Sequence, residues 1–220
     1  SFQGSGASLY RRLRRFNPAP YAAYLKFGDE EILSSSPERF FLLQDGSIDT
    51  RPIKGTRPRG TSEIEDEAFR RDLAQSEKDK AELLMIVDLE RNDLGRICQA
   101  GSIRVKSLFD LETYASVIHQ TATIVGRLEL GRDAIDCFGA MFPGGSITGA
   151  PKIRAMEVID ELEDGERGVY TGAIGYIGFD GRADFNIAIR TMRIANGELS
   201  FNVGGGIVWD SDPQSEYEES

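Results

Sequence analysis

The 220-residue sequence predicts an α+β fold built on antiparallel sheets. Two observations carry this. Helical and strand-like stretches come in blocks, a helix, several strands, a helix and several strands again, instead of the strict alternation of a doubly wound parallel fold. The strand-like runs are also short and are separated by Gly28-Asp29, Ser36-Pro37 and Asp45-Gly46, the punctuation of hairpins.

Taken in order, residues 8–16 place Leu9, Leu13 and Phe16 at helical spacing between arginines, and Pro18 and Pro20 end the segment. Residues 21–27, 31–35, 39–44 and 47–51 then read as an antiparallel meander that leads into a loop around Lys54. From Glu63 to about Asn92 the pattern is helical. Ser76 and Asp79 resemble a capping box, Leu83, Ile86 and Val87 form an apolar stripe, and Gly95 supplies a stop. Residues 102–108, 114–118 and 120–128 predict three strands, and 133–142 a helix. A glycine-rich loop at 143–151 opens a helix with Ile153, Met156, Ile159 and Leu162 on one face. Strands follow at 170–179, 183–194 and 198–203, and Asp212-Pro213 starts a last helix.

Length allows one sizeable core, read as a single domain over 1–220. A net charge of −10 argues against nucleic acid and against an anionic membrane surface as partners. Cys98 and Cys137 form no spaced cluster, so neither a disulfide framework nor a zinc site is indicated. With no run as long as a membrane span and no secretory leader, the reading is cytoplasmic. The chain also stops inside a helical pattern at Glu219-Ser220, which reads as a fragment.

Several groups are suited to chemistry. Lys54 stands between Pro52-Ile53 and Gly55, with Arg51, Arg57 and Arg59 close in sequence. An amine becomes nucleophilic when burial or cationic neighbours disfavour its charge, although the same spacing also fits a basic surface turn. Asp79 with Glu82, and Glu216 with Glu219, each put two carboxylates on one helix face. Such sets suit a hard cation such as Mg²⁺ or, more plainly, a solvated face. The 143–151 loop and Gly204-Gly205-Gly206 offer backbone N–H groups to an anion, without the spacing of a Walker loop, since Lys152 falls inside the helix. His119 is the sole histidine, too few for a metal site and suited to proton transfer or, more plainly, to packing within a strand. Arg190, in a strand-like run, needs an anionic partner if buried, either a ligand carboxylate or an internal acid.

Read together, Ser36-Pro37-Glu38-Arg39-Phe40, Pro52-Ile53-Lys54-Gly55-Thr56, Ala81 to Leu89, Arg91-Asn92-Asp93-Leu94-Gly95-Arg96, Phe142 to Pro151 with Lys152, Ile189-Arg190-Thr191 and Gly204 to Val208 with Glu216 and Glu219 resemble the chorismate-utilising enzymes. These are the large subunits of anthranilate and aminodeoxychorismate synthases and their isochorismate and salicylate synthase relatives. The resemblance covers nearly the whole chain. It implies a four-layer α/β/β/α sandwich with orthogonally packed antiparallel sheets, of which this chain would supply the C-terminal part, lacking an N-terminal region and a C-terminal helix.

The lysine after Pro-Ile further resembles aminodeoxychorismate synthases, where anthranilate synthases carry alanine. That implies chorismate and ammonia as substrates, 4-amino-4-deoxychorismate as product on the way to p-aminobenzoate and folate, and a glutamine amidotransferase subunit or domain as partner. By the same resemblance Lys54 is the covalent nucleophile, Glu38 an acid/base at the C4 hydroxyl and His119 a proton-transfer group. Glu82 and Glu219 would bind Mg²⁺ directly, Asp79 and Glu216 through water. Ser146, Tyr170, Arg190, Gly206 and Lys152 would bind substrate. Anthranilate synthase, in tryptophan biosynthesis, and a non-catalytic chorismate-binding module remain the alternatives.

Overall fold

A computed structural model describes residues 4–209 and 211–219, without the side chains of Ser215 and Glu219. The chain runs α1 (Gly6–Phe16), β1 (Tyr21–Phe27), β2 (Glu30–Ser36), β3 (Arg39–Gln44), β4 (Ser47–Arg51), β5 (Ile53–Pro58), α2 (Glu63–Gln75), α3 (Glu77–Leu94), β6 (Arg104–Thr113), β7 (Val117–Arg127) and α4 (Ala134–Met141). A 3₁₀ turn at Gly145–Ile147 precedes α5 (Lys152–Leu162), β8 (Ala173–Ile177), β9 (Ala183–Ile187), β10 (Thr191–Ala195), β11 (Glu198–Phe201) and α6 (Pro213–Glu219). Every strand pairing is antiparallel. A four-stranded sheet has the order β1-β2-β10-β11; a seven-stranded sheet has β5-β7-β4-β3-β9-β8, with β6 also on β7. Helix α1 packs on the smaller sheet, and α2 and α3 pack on the larger one. This is the expected α+β class.

Local chemistry sets the breaks. The expected single helical stretch over 63–92 is two helices, because Ser76 takes an extended ψ of 106° and its Oγ accepts the Asp79 N–H at 3.3 Å, capping α3. Residues 102–128 hold two long strands, not three. Tyr114 to Ser116 make the turn between them, with the Tyr114 N–H donated to the Val117 carbonyl at 2.8 Å.

The core lies between the larger sheet and the helices. Phe40, Phe41, Leu43 and Ile48 from β3 and β4 meet Leu83 and Val87 of α3 and Cys137 and Met141 of α4. Phe138 stacks edge-on against Phe41 and Phe185, with ring centroids 5.3 and 4.7 Å apart. Each such buried side chain stabilises the fold by about 1.5–3 kcal/mol.

The two sheets are joined by two chain segments that cross side by side. One runs from β2 through Pro37 and Glu38 into β3; the other runs from β9 through Ala188 to Arg190 into β10. They are bonded to each other: Ser36 Oγ donates to the Ile187 carbonyl at 2.6 Å, Ile187 N–H to the Glu38 carbonyl at 3.1 Å, and Ser35 N–H to the Arg190 carbonyl at 3.0 Å. The strand expected over 183–194 is therefore broken, and Arg190 sits in the crossing with φ 49° instead of in a central strand. Among the described residues no helix is long and apolar enough to cross a membrane.

Candidate active site

Lys54 lies on strand β5, not in a loop. Ile53 pairs with Thr121 and Thr56 with His119, so Lys54 and Gly55 together oppose Gln120 alone. Gly55 carries this bulge with φ +83°, a conformation that L side chains avoid. A β-carbon there would stand 2.8 Å from Leu73 Cδ1 and 2.9 Å from Asp79 Cβ, so the bulge is pressed against α2 and α3. The arginines expected to crowd Lys54 are each neutralised. Arg51 pairs with Glu112, Arg57 with Asp72 at 2.6 Å and Asp79 at 3.1 Å, and Arg59 with Asp66 at 2.6 Å.

What surrounds Lys54 instead is acidic. A β-carbon on Gly206 would lie 3.1 Å from Lys54 Nζ and 3.6 Å from Glu82 Oε2. One at Gly205 would lie 3.3 Å from Glu216 Oε2, and one at Gly204 would lie 3.1 Å from the Tyr170 hydroxyl. The three glycines thus form a side-chain-free strip along which Tyr170, Glu216, Glu82 and Lys54 are lined up. Burial raises the Glu82 pKa, opposed by Lys54 and Lys78 and reinforced by Asp79 and Glu216. The Ser211 hydroxyl, 2.5 Å from Glu216, holds that carboxyl below its ordinary value.

Glu38 comes from the first crossing segment and is 4% exposed. Burial pushes its pKa up to about 7, against the opposing pull of Ser146, Lys54 and the Ile53 backbone N–H. The Ser146 Oγ acts from near by without closing a well-formed bond, since it is buried and unpartnered. Glu38 and Lys54 are therefore neighbours: an acid that still holds a proton near neutrality beside an amine.

His119, 2% exposed on β7, has its Nδ1 2.8 Å from the Thr56 Oγ1 and its Nε2 buried without a partner. Burial first, and Arg190 second, lower its pKa to about 4, so the ring is neutral at pH 7. His119 and Arg190 line one small pocket with Ser35 and Tyr114. Desolvation lowers the Arg190 pKa although part of its side chain is exposed, and among the described residues no carboxylate pairs with it.

Two expected substrate-binding features have structural duties here. The Lys152 ammonium contacts Asp93 Oδ2 at 2.5 Å and the Met141 carbonyl at 2.8 Å. In the 143–151 loop, Gly144 and Gly145 pack against Ile187 and Leu89, where β-carbons would stand 2.5 and 3.0 Å from those side chains. Of the four expected metal-binding acids, Asp79 is bound to Arg57, while Glu82 and Glu216 face the glycine strip and share Lys78, which is 3.9 and 3.3 Å from them. The side chain of Glu219 lies outside the described residues. Among the described residues no three acids, histidines or cysteines gather into a metal-binding set. The two oxygen donors nonetheless fit a hard cation: they come from separate elements, and a side-chain cation already stands between them.

The sequence reading passed over Thr56, Lys78 and the buried Glu90. Glu90 continues the Glu82–Ile86 stripe at four-residue steps, so a charged residue at an inward-facing helical position was the available signal.

The chain matches the chorismate binding enzyme family over residues 1–220. It is 47% identical over 219 residues to anthranilate synthase component 1 of Aquifex aeolicus, covering 100% of this chain and 44% of that protein. It is 51% identical over 214 residues to aminodeoxychorismate synthase of Streptomyces griseus, covering 97% of this chain and 30% of that one. The solved anthranilate synthase component I from Streptococcus pneumoniae superposes with a TM-score of 0.90 at 42% identity, over 99% of this chain and 48% of its own. The chain thus spans less than half the length of these relatives, and it belongs to the chorismate binding enzyme family.

Proposed function

We propose that the protein carrying this chain is an aminodeoxychorismate synthase component I, forming 4-amino-4-deoxychorismate from chorismate and ammonia in the p-aminobenzoate branch of folate synthesis. The observation that carries this reading is the placement of Lys54 between a protonatable Glu38 and the Glu82–Gly206 strip. Ammonia would come from glutamine through a partner amidotransferase, and the setting would be cytoplasmic.

In this reading the neutral Lys54 amine attacks ring C2, the two ring double bonds shift towards C4, and the C4–O bond breaks. Glu38 supplies the proton with which the hydroxyl leaves as water, which its pKa of about 7 permits. Ammonia then adds at C4, the double bonds shift back, the C2–N bond breaks to release the neutral Lys54 amine, and the new C4 ammonium returns a proton to Glu38. His119, neutral and with a free Nε2, accepts or relays a proton, and Arg190 holds a substrate carboxylate. Tyr170 and Ser146 line the ring, and the Gly206 backbone leaves space for a second carboxylate. Glu82 and Glu216, with Glu219 and Asp79, would hold Mg²⁺, which when bound neutralises that carboxylate.

The similarity to relatives named for both reactions makes anthranilate synthase the second reading. The Lys54→Ala protein, incubated with chorismate, Mg²⁺ and ammonium, separates them. Loss of aminodeoxychorismate with a rise in fluorescent anthranilate supports the proposal. Wild-type protein that makes anthranilate with no added lyase, unchanged by Lys54→Ala, refutes it.

A further inference from the structure

On β3, Arg39 pairs with Arg51 and Leu42 with Asp49, so Phe40 and Phe41 together oppose Thr50. Beside this bulge the Phe40 carbonyl accepts from Thr50 Oγ1 at 2.8 Å. The same Thr50 oxygen lies 2.8 Å from Glu90 Oε2. A hydroxyl has one hydrogen, and a carbonyl can only accept. With that hydrogen given to Phe40, the second contact requires the proton to be on Glu90. Thr50 and Glu90 are 1% and 6% exposed, so both contacts are buried.

We propose that Glu90 is a positioning residue that holds a proton on its carboxyl and, by donating it to Thr50, fixes the Glu38 crossing segment against the strand leading to Lys54. Thr50 is two residues before Pro52, and Phe40 two residues after Glu38, so this chain of bonds ties both functional segments to α3. Of the groups facing Glu90, two acids oppose its charge, while a hydroxyl and an ammonium favour it. They are Thr50 from β4, Glu38 from the crossing, Asp93 from its own helix and Lys152 from α5, whose ammonium is held by Asp93. Burial raises the Glu90 pKa to about 8, with Glu38 and Asp93 adding and Thr50 and Lys152 opposing. The 145 turn covers its stem, a β-carbon on Gly145 standing 3.6 Å from Glu90 Cγ.

The protonation claim stands on the fold alone; the role in positioning rests on the function proposed above. The full chain and its E90Q, E90L and T50V variants test the first part through the pH dependence of unfolding and the infrared band of protonated carboxyls. In E90Q the amide still donates to Thr50. This variant is expected to fold, to lose one carboxyl from the neutral-pH band, and to lose one proton's share of the pH dependence. A band and a slope unchanged in E90Q overturn the proposal. For the second part, T50V and E90L in the parent protein are expected to lower kcat about tenfold, roughly one buried hydrogen bond, with KM nearly unchanged. E90Q is expected to recover most of that loss, and equal losses in E90Q and E90L contradict the positioning role. A parent protein with no turnover defeats the functional reading while leaving the stability and infrared results to decide the state of Glu90.

Discussion

Lys54 and Gly206 meet across the candidate site: a β-carbon at 206 would stand 3.1 Å from Nζ, so the amine would have to give by a few tenths of an ångström. Gly206→Ala therefore pushes on the far end of a flexible side chain and on Glu82 Oε2, not on backbone. The expected result is a fall in kcat of about tenfold or more, because small displacements of a reacting group are costly. Thermal unfolding should shift little, within about 0.5 kcal/mol, as for a surface substitution. A Gly206→Ala protein with full turnover would show that the Lys54 position is not critical.

Gly55→Ala should act in the opposite way. It forces a β-carbon into a +83° conformation and within 2.9 Å of Leu73 and Asp79, both packed side chains. A loss of at least about 2 kcal/mol is expected, from backbone strain together with overpacking. Denaturant unfolding measures it, and a change below about 0.5 kcal/mol would mean that the bulge is soft.

The buried titratable groups give stability a defined pH dependence. Glu38 and Glu90 hold protons in the fold up to about 7 and 8, whereas in the unfolded chain they lose them near 4.5. Their contribution is fully present below pH 4.5 and is lost as pH rises through 7 and 8. His119 works the other way: neutral in the fold down to about 4, it contributes stability above 6.5 that is lost as pH falls. Between 4.5 and 6.5 these three groups leave the native chain with one extra proton, and between 6.5 and 7 with two. Stability from them should fall by about 1.4 kcal/mol per pH unit per proton, steepest just below pH 7. Glu38→Gln should remove one proton from that slope, as followed by denaturant midpoints across the range. A stability that rises from pH 5 to pH 8 would contradict these protonation states.

Much of this arrangement was legible in the sequence because it rests on local rules. Gly28-Asp29 and Asp45-Gly46 marked two hairpins, Ser76 marked a cap, and the glycine after Lys54 marked a bent backbone, whereas Ser36-Pro37, expected as a third hairpin of one meander, is the crossing from the smaller sheet to the larger. The acids Glu82 and Glu216 were brought to one strip, though they lie far apart in the chain. What escaped is non-local. The apolar run through 183–194 hides a change of sheet, since a crossing segment stays buried and apolar like the strands it joins. The arginines around Lys54 read as a cationic cluster because their partners Glu112, Asp72, Asp79 and Asp66 come from other elements. Thr50 and Glu90 become a pair only when α3 lies on β4.

The most direct measurement is intact-protein and peptide mass spectrometry of the parent protein quenched during reaction with chorismate, Mg²⁺ and limiting ammonia. The expected result is a covalent adduct of chorismate less one water, located on Lys54, absent from Lys54→Ala and dispersed by added ammonia. Turnover to the aminated product with Lys54 never modified, or an adduct borne by another residue, would contradict a covalent role for this amine.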